Sequence, residues 1–379
     1  MTLGRFTSFG LSAAASLAIL LGVTLEGFHG AWVAVCLASI TGLQLLRVPR
    51  LVFPREAVIY AGLLAYMALQ LAWTGDRALA MNTLLPAANF LVLIVLYASL
   101  ALLHEPKPVL LGALAGFGAG ALAYALATGF PLAYPANFSY NAVAGMHLYG
   151  LLVALLLASV TAWPVWLLAV AAVAWAHILA TTSIKVNLGI AFGALTAGTA
   201  HFGYVMRALR RHALAILALA GVLVFAVAST PAAVEALRRG SERVTLGLRI
   251  LAVREDLPGY SAFAKRTDWL EEGMRGWRQN PVFGHGVEAF RADYGITSHS
   301  TFIDLMYNSG LIGVALFYGI LLSVALRLRA SRGTVPRDTR IVVLGGLACI
   351  FFVSLSAPVH YAPTLGAYIG LSVAMLRRA

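Results

Sequence analysis

The chain is a succession of apolar runs, each long enough to cross a bilayer, with few polar residues left between them. A hydrocarbon core about 30 Å thick needs roughly 20 apolar residues per helical crossing. Such runs fall near 6–25, 29–46, 57–73, 83–103, 109–128, 142–160, 164–181, 186–205, 213–230, 301–326, 341–357 and 363–376. The sequence therefore predicts an all-α polytopic membrane protein with about twelve transmembrane helices. Soluble alternatives fail on charge. Only 11% of the 379 residues are charged, against about 25% in soluble globular chains, and the mean hydropathy is +0.85. This excludes a secreted or cytosolic enzyme, a disordered chain and a nucleic-acid binder. A transmembrane β-barrel needs short alternating segments, which these Ala/Leu/Val runs do not resemble. The first run follows Arg5 as in a signal peptide, but no A-x-A cleavage pattern comes after it. It reads as the first membrane helix. Cys36 and Cys349 both lie within apolar runs, which argues against a disulfide framework or a metal site.

The net charge of +12 carries orientation rather than an acidic partner, because Lys and Arg collect on cytoplasmic loops. One set of connections holds Arg5, Arg47, Arg50, Arg55, Lys107, Arg207, Arg210 and Arg211, then Arg327 to Arg340 and Arg377 and Arg378, fifteen basic residues in all. The short connections on the opposite side hold only Arg77 and Lys185. Both termini are expected in the cytoplasm. The chain divides into helices one to nine (1–230), one large outer loop (231–298) and helices ten to twelve (299–379). The loop carries ten basic and nine acidic residues. Long loops cross regardless of charge, so its basic content does not oppose this topology. Within it Phe263, Trp269, Leu270, Met274 and Trp277 recur at helical spacing, which predicts an amphipathic helix. Asn280-Pro281 ends that helix, and Gly284 and Gly286 make a turn.

Ionisable groups within spans cost roughly 2.5–3.5 kcal/mol at a helix centre, so each needs a reason. On this topology most of them gather at the outer level: Asn137, Asn141 and His147 at the sixth span, His177 at the seventh, Ser183 and Lys185 in the next turn, His299, Asp304 and Asn308 at the tenth, and His360 beyond the eleventh. The arrangement points to a site at the outer leaflet that uses Lys185, Asn141, His147, Asp304 and His360 to bind substrate. Plainer roles exist for each. Lys185 fits a residue that snorkels to the interface. His147 and His177 fit hydrogen-bond partners between helices. His285, between two glycines, reads as exposed and incidental. His299 is harder to dismiss. It stands where the loop meets the tenth span, and Gly310 and Gly313 follow on one face of that span, where they would let a neighbouring helix come close.

At these residues the chain resembles the superfamily of O-antigen ligases and O-antigen polymerases. Its ligases carry a His followed by Asn, Ser or Gln, then a Leu-like residue, then two glycines at fixed distances. His299, Ser300, Ile303, Gly310 and Gly313 follow in that order, with Ile303 in place of Leu. Upstream the family has an Arg, a Trp three residues on, and an Asn-Pro-x-x-Gly-x-Gly turn, matched by Arg266, Trp269 and the stretch from Asn280 to Gly286, ending in Phe290. The family's Asn-rich start of a middle helix resembles the stretch from Asn137 to Ala142. Its Ser-Arg turn resembles Ser183-Ile184-Lys185, with Lys for Arg; a point charge there cannot copy the planar fork of a guanidinium.

The resemblance implies a GT-C-like membrane glycosyltransferase of the bacterial inner membrane, with its site facing the periplasm and its large loop periplasmic. Such an enzyme moves a glycan from undecaprenyl pyrophosphate to a sugar hydroxyl of lipid A-core in lipopolysaccharide biosynthesis, using no nucleotide sugar, cofactor or metal. Cationic side chains must then hold the pyrophosphate and stabilise the charge that grows as the C–O bond breaks. Arg266, with a fork that stays charged, is the first candidate, and Lys185 the second. A neutral imidazole can accept the proton of the attacking hydroxyl near neutral pH, which makes His299 the expected base or orienter. A polymerase of the same superfamily would lengthen a lipid-linked glycan instead. A polysaccharide transporter or lipid flippase would need a polar path through the midplane, whereas the polar groups here crowd one surface.

Overall fold

The computed structural model describes residues 3–24, 30–128, 140–161, 183–211 and 260–377, with isolated positions between 213 and 238. The expected seventh and ninth spans, His177, Asn137 and most of 231–259 lie outside the described residues. Those described form thirteen helices and no strand. In chain order they are α1 (Leu3–Thr24), α2 (Gly30–Arg47), α3 (Arg55–Gln70), α4 (Arg77–Leu103), α5 (Pro106–Thr128), α6 (Tyr140–Val160), α7 (Ile184–Ala200), α8 (Phe202–Arg211), α9 (Tyr260–Gln279), α10 (Ala289–Tyr294), α11 (Thr301–Ala330), α12 (Arg337–Ser354) and α13 (Pro363–Arg377). Among them α1, α4, α5 and α11 contain stretches long and apolar enough to cross a membrane. Where described, the protein is thus all-helical, with helices long and apolar enough for membrane insertion.

Three helix pairs are drawn together by glycines four residues apart. A Cβ on Gly112 or Gly116 of α5 would stand 2.2 Å from the carbonyl oxygen of Phe9 or Ala13 on α1. On α13, Gly366 and Gly370 meet the carbonyls of Phe90 and Ile94 on α4 in the same way, at 2.5 and 2.7 Å. On α7, Gly193 meets the carbonyl of Gly345 on α12 at 2.3 Å, and Gly189 lies against Val353. Apolar side chains gain little by leaving lipid for protein, so close backbone packing at small residues is the main attraction available. Between these seams Ser16, Tyr97 and Tyr149 share a buried hydroxyl network, each group satisfying another where water is absent.

α3 and α11 run antiparallel and mark the two ends of the bundle. At one end Glu56, fully buried, accepts from Arg327 Nε and Ser323 Oγ at 2.7 Å each. At the other end Gln70 meets Asn308 and Ser309. The arginine-bearing connections lie at the first end. The second carries the turn after α9, the His299 segment and Lys185.

Candidate active site

α11 is one helix in length but two in geometry. Gly310 has φ 61° and ψ −160°, a conformation open to glycine and costly for other residues. The interruption releases backbone groups, and the turn after α9 takes up four of them. Leu311 N–H, which an unbroken helix would direct to Tyr307, donates to Pro281 O at 2.9 Å, and Ile312 N–H donates to Val282 O at 3.4 Å. In exchange Tyr307 O accepts from His285 N–H at 3.0 Å and Asn308 O from Gly286 N–H at 2.9 Å. Non-helical backbone is tolerated in a membrane protein where protein satisfies it in this way. The fit admits no side chains: a Cβ on Gly284 would stand 2.4 Å from Asn308 O, and one on Gly310 would stand 2.3 Å from Val282 O. The expected partner of Gly310 was a neighbouring helix. The partner is this turn, and Gly313 packs under Ser309 of its own helix.

The turn is also pinned from α3 by residues that the sequence reading passed over. Tyr66 OH donates to Phe283 O at 2.7 Å, and Gln70 Nε2 donates to Phe283 O and Asn308 O at 3.1 and 2.9 Å. Thr74 Oγ1 donates to Val287 O at 2.8 Å. A signal was present: Gln70 is a polar side chain inside an apolar span, which needs a partner as much as any ionisable group does. His285 is not incidental. Its Nε2 donates to Gly276 O at 2.9 Å, its Nδ1 accepts from Asn280 Nδ2 at 3.2 Å, and its ring stacks on Tyr307 at 4.6 Å. The carbonyl can only accept, which fixes the tautomer. Asn308 Oδ1 accepts from Phe290 N–H, at the start of α10, at 2.8 Å.

This framework sets the first residues of α11, and with them His299. Its backbone is left-handed, φ 59°, which costs a residue with a Cβ roughly 1–2 kcal/mol. Its neighbours hold it there. Ser298 Oγ accepts from Ser300 N–H at 3.3 Å across His299, and its one proton points toward Ser300 O at 2.8 Å and Asp304 Oδ1 at 3.1 Å. Ser300 caps α11 through Ile303 N–H. Thr301 stitches the segment to the loop between α12 and α13, donating to Ala357 O and accepting from Val359 N–H, both at 2.7 Å. The half-buried imidazole of His299 lies 5.4 Å from the ring of Trp269 on α9. Backbone strain of this kind persists where surrounding structure over-determines it, often at functional sites.

His299 and Lys185 line one cavity of about 460 Å³, within the range of small-ligand sites. Its walls come from α6, α7, α12, α13 and the loop between the last two, and are mostly apolar, including Leu148, Ile350 and Leu365. Lys185, the second residue of α7, donates through Nζ to the carbonyl of Ser356 in that same loop. Arg266 lies on α9 three residues before Trp269; its side chain, like that of Asn141, is outside the described residues.

The other expected binding residues are placed differently. His147 is buried and packs edge-on against Phe117 of α5, ring centres 5.8 Å apart. Asp304 and His360 are each 4% exposed and lie behind the His299 segment, off the cavity wall. His360 Nε2 stands 3.8 Å from Asp304 Oδ2, too far for a hydrogen bond, while its Nδ1 has no partner among the described residues. Burial pushes the His360 imidazole down to about 3, so it stays neutral. Burial also raises Tyr361 above the ordinary phenol range, with Asp304 and Glu288 adding to the effect. Asp304 accepts from Ser298 beside His299, and neither Asp304 nor His360 lines the cavity. Among the described residues no group of three His, Cys, Asp or Glu side chains is placed to hold a metal ion. No protein-family model and no curated protein matches the chain.

Proposed function

We propose that the chain is an O-antigen ligase: an inverting glycosyltransferase that moves a glycan from undecaprenyl pyrophosphate to a sugar hydroxyl of lipid A-core at the periplasmic face of the bacterial inner membrane. In this reading it crosses the membrane twelve times with both termini in the cytoplasm. The observation that carries the reading is the shared cavity of Lys185 and His299, because it joins a cation and an imidazole beside an apolar volume. The attacking hydroxyl forms a bond to the anomeric carbon as the bond to the pyrophosphate oxygen breaks, and its proton passes to His299 Nδ1 or Nε2. Lys185 and Arg266 hold the departing pyrophosphate, whose growing charge a low-dielectric site rewards strongly. A single displacement needs no covalent enzyme intermediate.

The test uses purified full-length protein incubated with lipid-linked glycan and with lipid A-core, separately and together. A ligase gives product only with both. Longer lipid-linked chains from donor alone would identify a polymerase of the same superfamily. No product under any condition, with the protein folded, would remove the glycosyltransferase reading. Loss of the Lys185 charge in Lys185→Met is expected to weaken donor binding by about 10- to 100-fold, the worth of one hydrogen bond to a charged group, with Lys185→Arg restoring part of it.

A further inference from the structure

Trp269 takes no part in the transfer chemistry, yet its indole is set against the imidazole of His299. The two ring centres lie 5.4 Å apart, with their planes inclined by 43°. His299 lines the cavity and Trp269 does not, so the imidazole has the cavity to one side and the indole to another. Trp269 is itself held by α9. Positions 269, 273 and 276 fall on one face of that helix, and the two glycines let the face come down on α11. A Cβ on Gly273 would overlap Ile303, and one on Gly276 would overlap the ring of Tyr307. The half-buried indole rests on the small apolar group of Ala289, Phe290, Ile303 and Tyr307. Phe290 is fixed in turn, its N–H bonded to Asn308 Oδ1. Three helices, α9, α10 and α11, therefore bear on where the indole stands.

The backbone of His299 does not by itself place the ring. At φ 59° the direction of Cβ is set, but an imidazole on a fixed Cβ still has staggered wells about χ1 and a broad χ2. The bonds of Ser298 and Ser300 hold the backbone and involve no atom of the ring. An indole against the imidazole closes the wells that would swing the ring into its place. We propose that Trp269 is the positioning residue of His299, backing the imidazole so that a ring nitrogen stays turned to the cavity. The inference rests on the glycosyltransferase reading, because it takes His299 as the base. A base must come within roughly 2.6–3.2 Å of the proton it accepts, and a misplacement of about 1 Å can cost roughly 10²-fold in rate. An imidazole released from its well spends part of its time out of that reach.

The test compares the natural full chain in detergent with Trp269→Leu, which keeps an apolar contact but no ring, and Trp269→Phe, which restores a smaller ring. One readout needs no substrate: the rate at which diethyl pyrocarbonate acylates His299, followed peptide by peptide by mass spectrometry, with buried His360 as the internal control. Trp269→Leu is expected to raise the His299 rate several-fold and leave that of His360 unchanged, and Trp269→Phe to fall between. The second readout is turnover with lipid-linked glycan and lipid A-core. Trp269→Leu is expected to lower kcat by roughly 10- to 100-fold with both KM values within about twofold, and Trp269→Phe to recover most of the loss. Should the Leu variant fail to fold, Trp269→Met, flexible enough to fill the gap, takes its place with the same expectations. An unchanged His299 acylation rate overturns the placement. A rise at His299 and His360 together does so as well, since the residue would then only hold the fold. Loss carried by KM with kcat intact makes Trp269 a substrate contact and overturns the positioning role, as does an unchanged kcat. Absence of turnover in the natural protein removes the glycosyltransferase reading and leaves the acylation rates to decide whether Trp269 holds the ring.

Discussion

Lys185 and Thr301 bond neighbouring carbonyl oxygens of one loop, those of Ser356 and Ala357. The cation of the cavity and the segment that carries His299 are therefore set against the same two residues of backbone, although 116 positions of chain separate them. Their spacing depends on the joint between α12 and α13 as well as on the turn that seats the start of α11.

Thr301 is the hinge of that joint, fully buried, with its hydroxyl used both as donor and as acceptor. Thr301→Val keeps the volume and removes the hydroxyl, leaving Val359 N–H without its acceptor while Ala357 O keeps only the backbone N–H of residue 301. Leaving a buried group unpaired costs roughly 1–3 kcal/mol. The variant is expected to melt lower and to lose transfer activity, and Thr301→Ser to restore both. Equal behaviour of the Val and Ser variants in melting and turnover would show that the hydroxyl holds nothing.

His299 offers a test in which the usual order of two residues inverts. In ordinary backbone Gly is less stabilising than Ala by roughly 0.5–1 kcal/mol. At φ 59° the order should reverse, because only a Cβ suffers from the left-handed conformation. His299→Gly is expected to be more stable than His299→Ala by about 1 kcal/mol, while both lose turnover by roughly 10²–10⁴-fold, the worth of a general base. Melting curves and donor-dependent turnover, measured side by side, read both. If the Ala variant is the more stable, the segment is not held left-handed by its neighbours.

The break in α11 has its own matched control. Gly310 and Gly295 both have positive φ, 61° and 70°, but a Cβ on Gly310 meets Val282 O at 2.3 Å and one on Gly295 meets nothing within 4 Å. Gly295→Ala should cost only the backbone term, roughly 1–2 kcal/mol. Gly310→Ala adds the displacement of the turn, and with it the four exchanged backbone bonds, and should fold poorly or melt far lower. Similar melting temperatures for the two would mean that the turn does not fill the break.

What the sequence made legible follows from what lies close along the chain. Helix class comes from runs of twenty residues and the α9 helix from its spacing. Lys185 and His299 were placed at one level by topology alone, and they do share a cavity. The losses were long-range. The spacing of Gly310 and Gly313 announces close approach but not the partner, and a turn thirty residues upstream fills the space that a helix was expected to fill. Asp304 and His360 were read as ligand-facing because they sit at the right height; depth below the surface is not a property of sequence position. The glycine pairs of α5, α7 and α13 were visible as four-residue spacings, yet which helix each would meet is a question of tertiary arrangement.

The buried pair beneath His299 yields a pH dependence whose sign distinguishes two states. Burial holds the folded imidazole of His360 at about 3, against 6.5 for an ordinary one. Around it stand Asp304, 3.8 Å away, then Tyr361 and, acting on that cluster, Glu288 and Arg291. Between pH 6.5 and about 3 the unfolded chain binds a proton here that the folded chain refuses. Stability therefore falls as pH falls through that window, by up to about 1.4 kcal/mol per pH unit from this group, and is indifferent to it above. An ion pair of His360 with Asp304 would do the reverse: its folded value would lie above 6.5, and stability would be lost as pH rose through it. The measurement is the melting temperature from pH 8 down to pH 5 for the natural protein and for His360→Leu. The expected result is stability lost on acidification relative to the Leu variant. A natural protein that gains stability relative to the variant as the pH drops below 7 would establish the charged pair and overturn the neutral one.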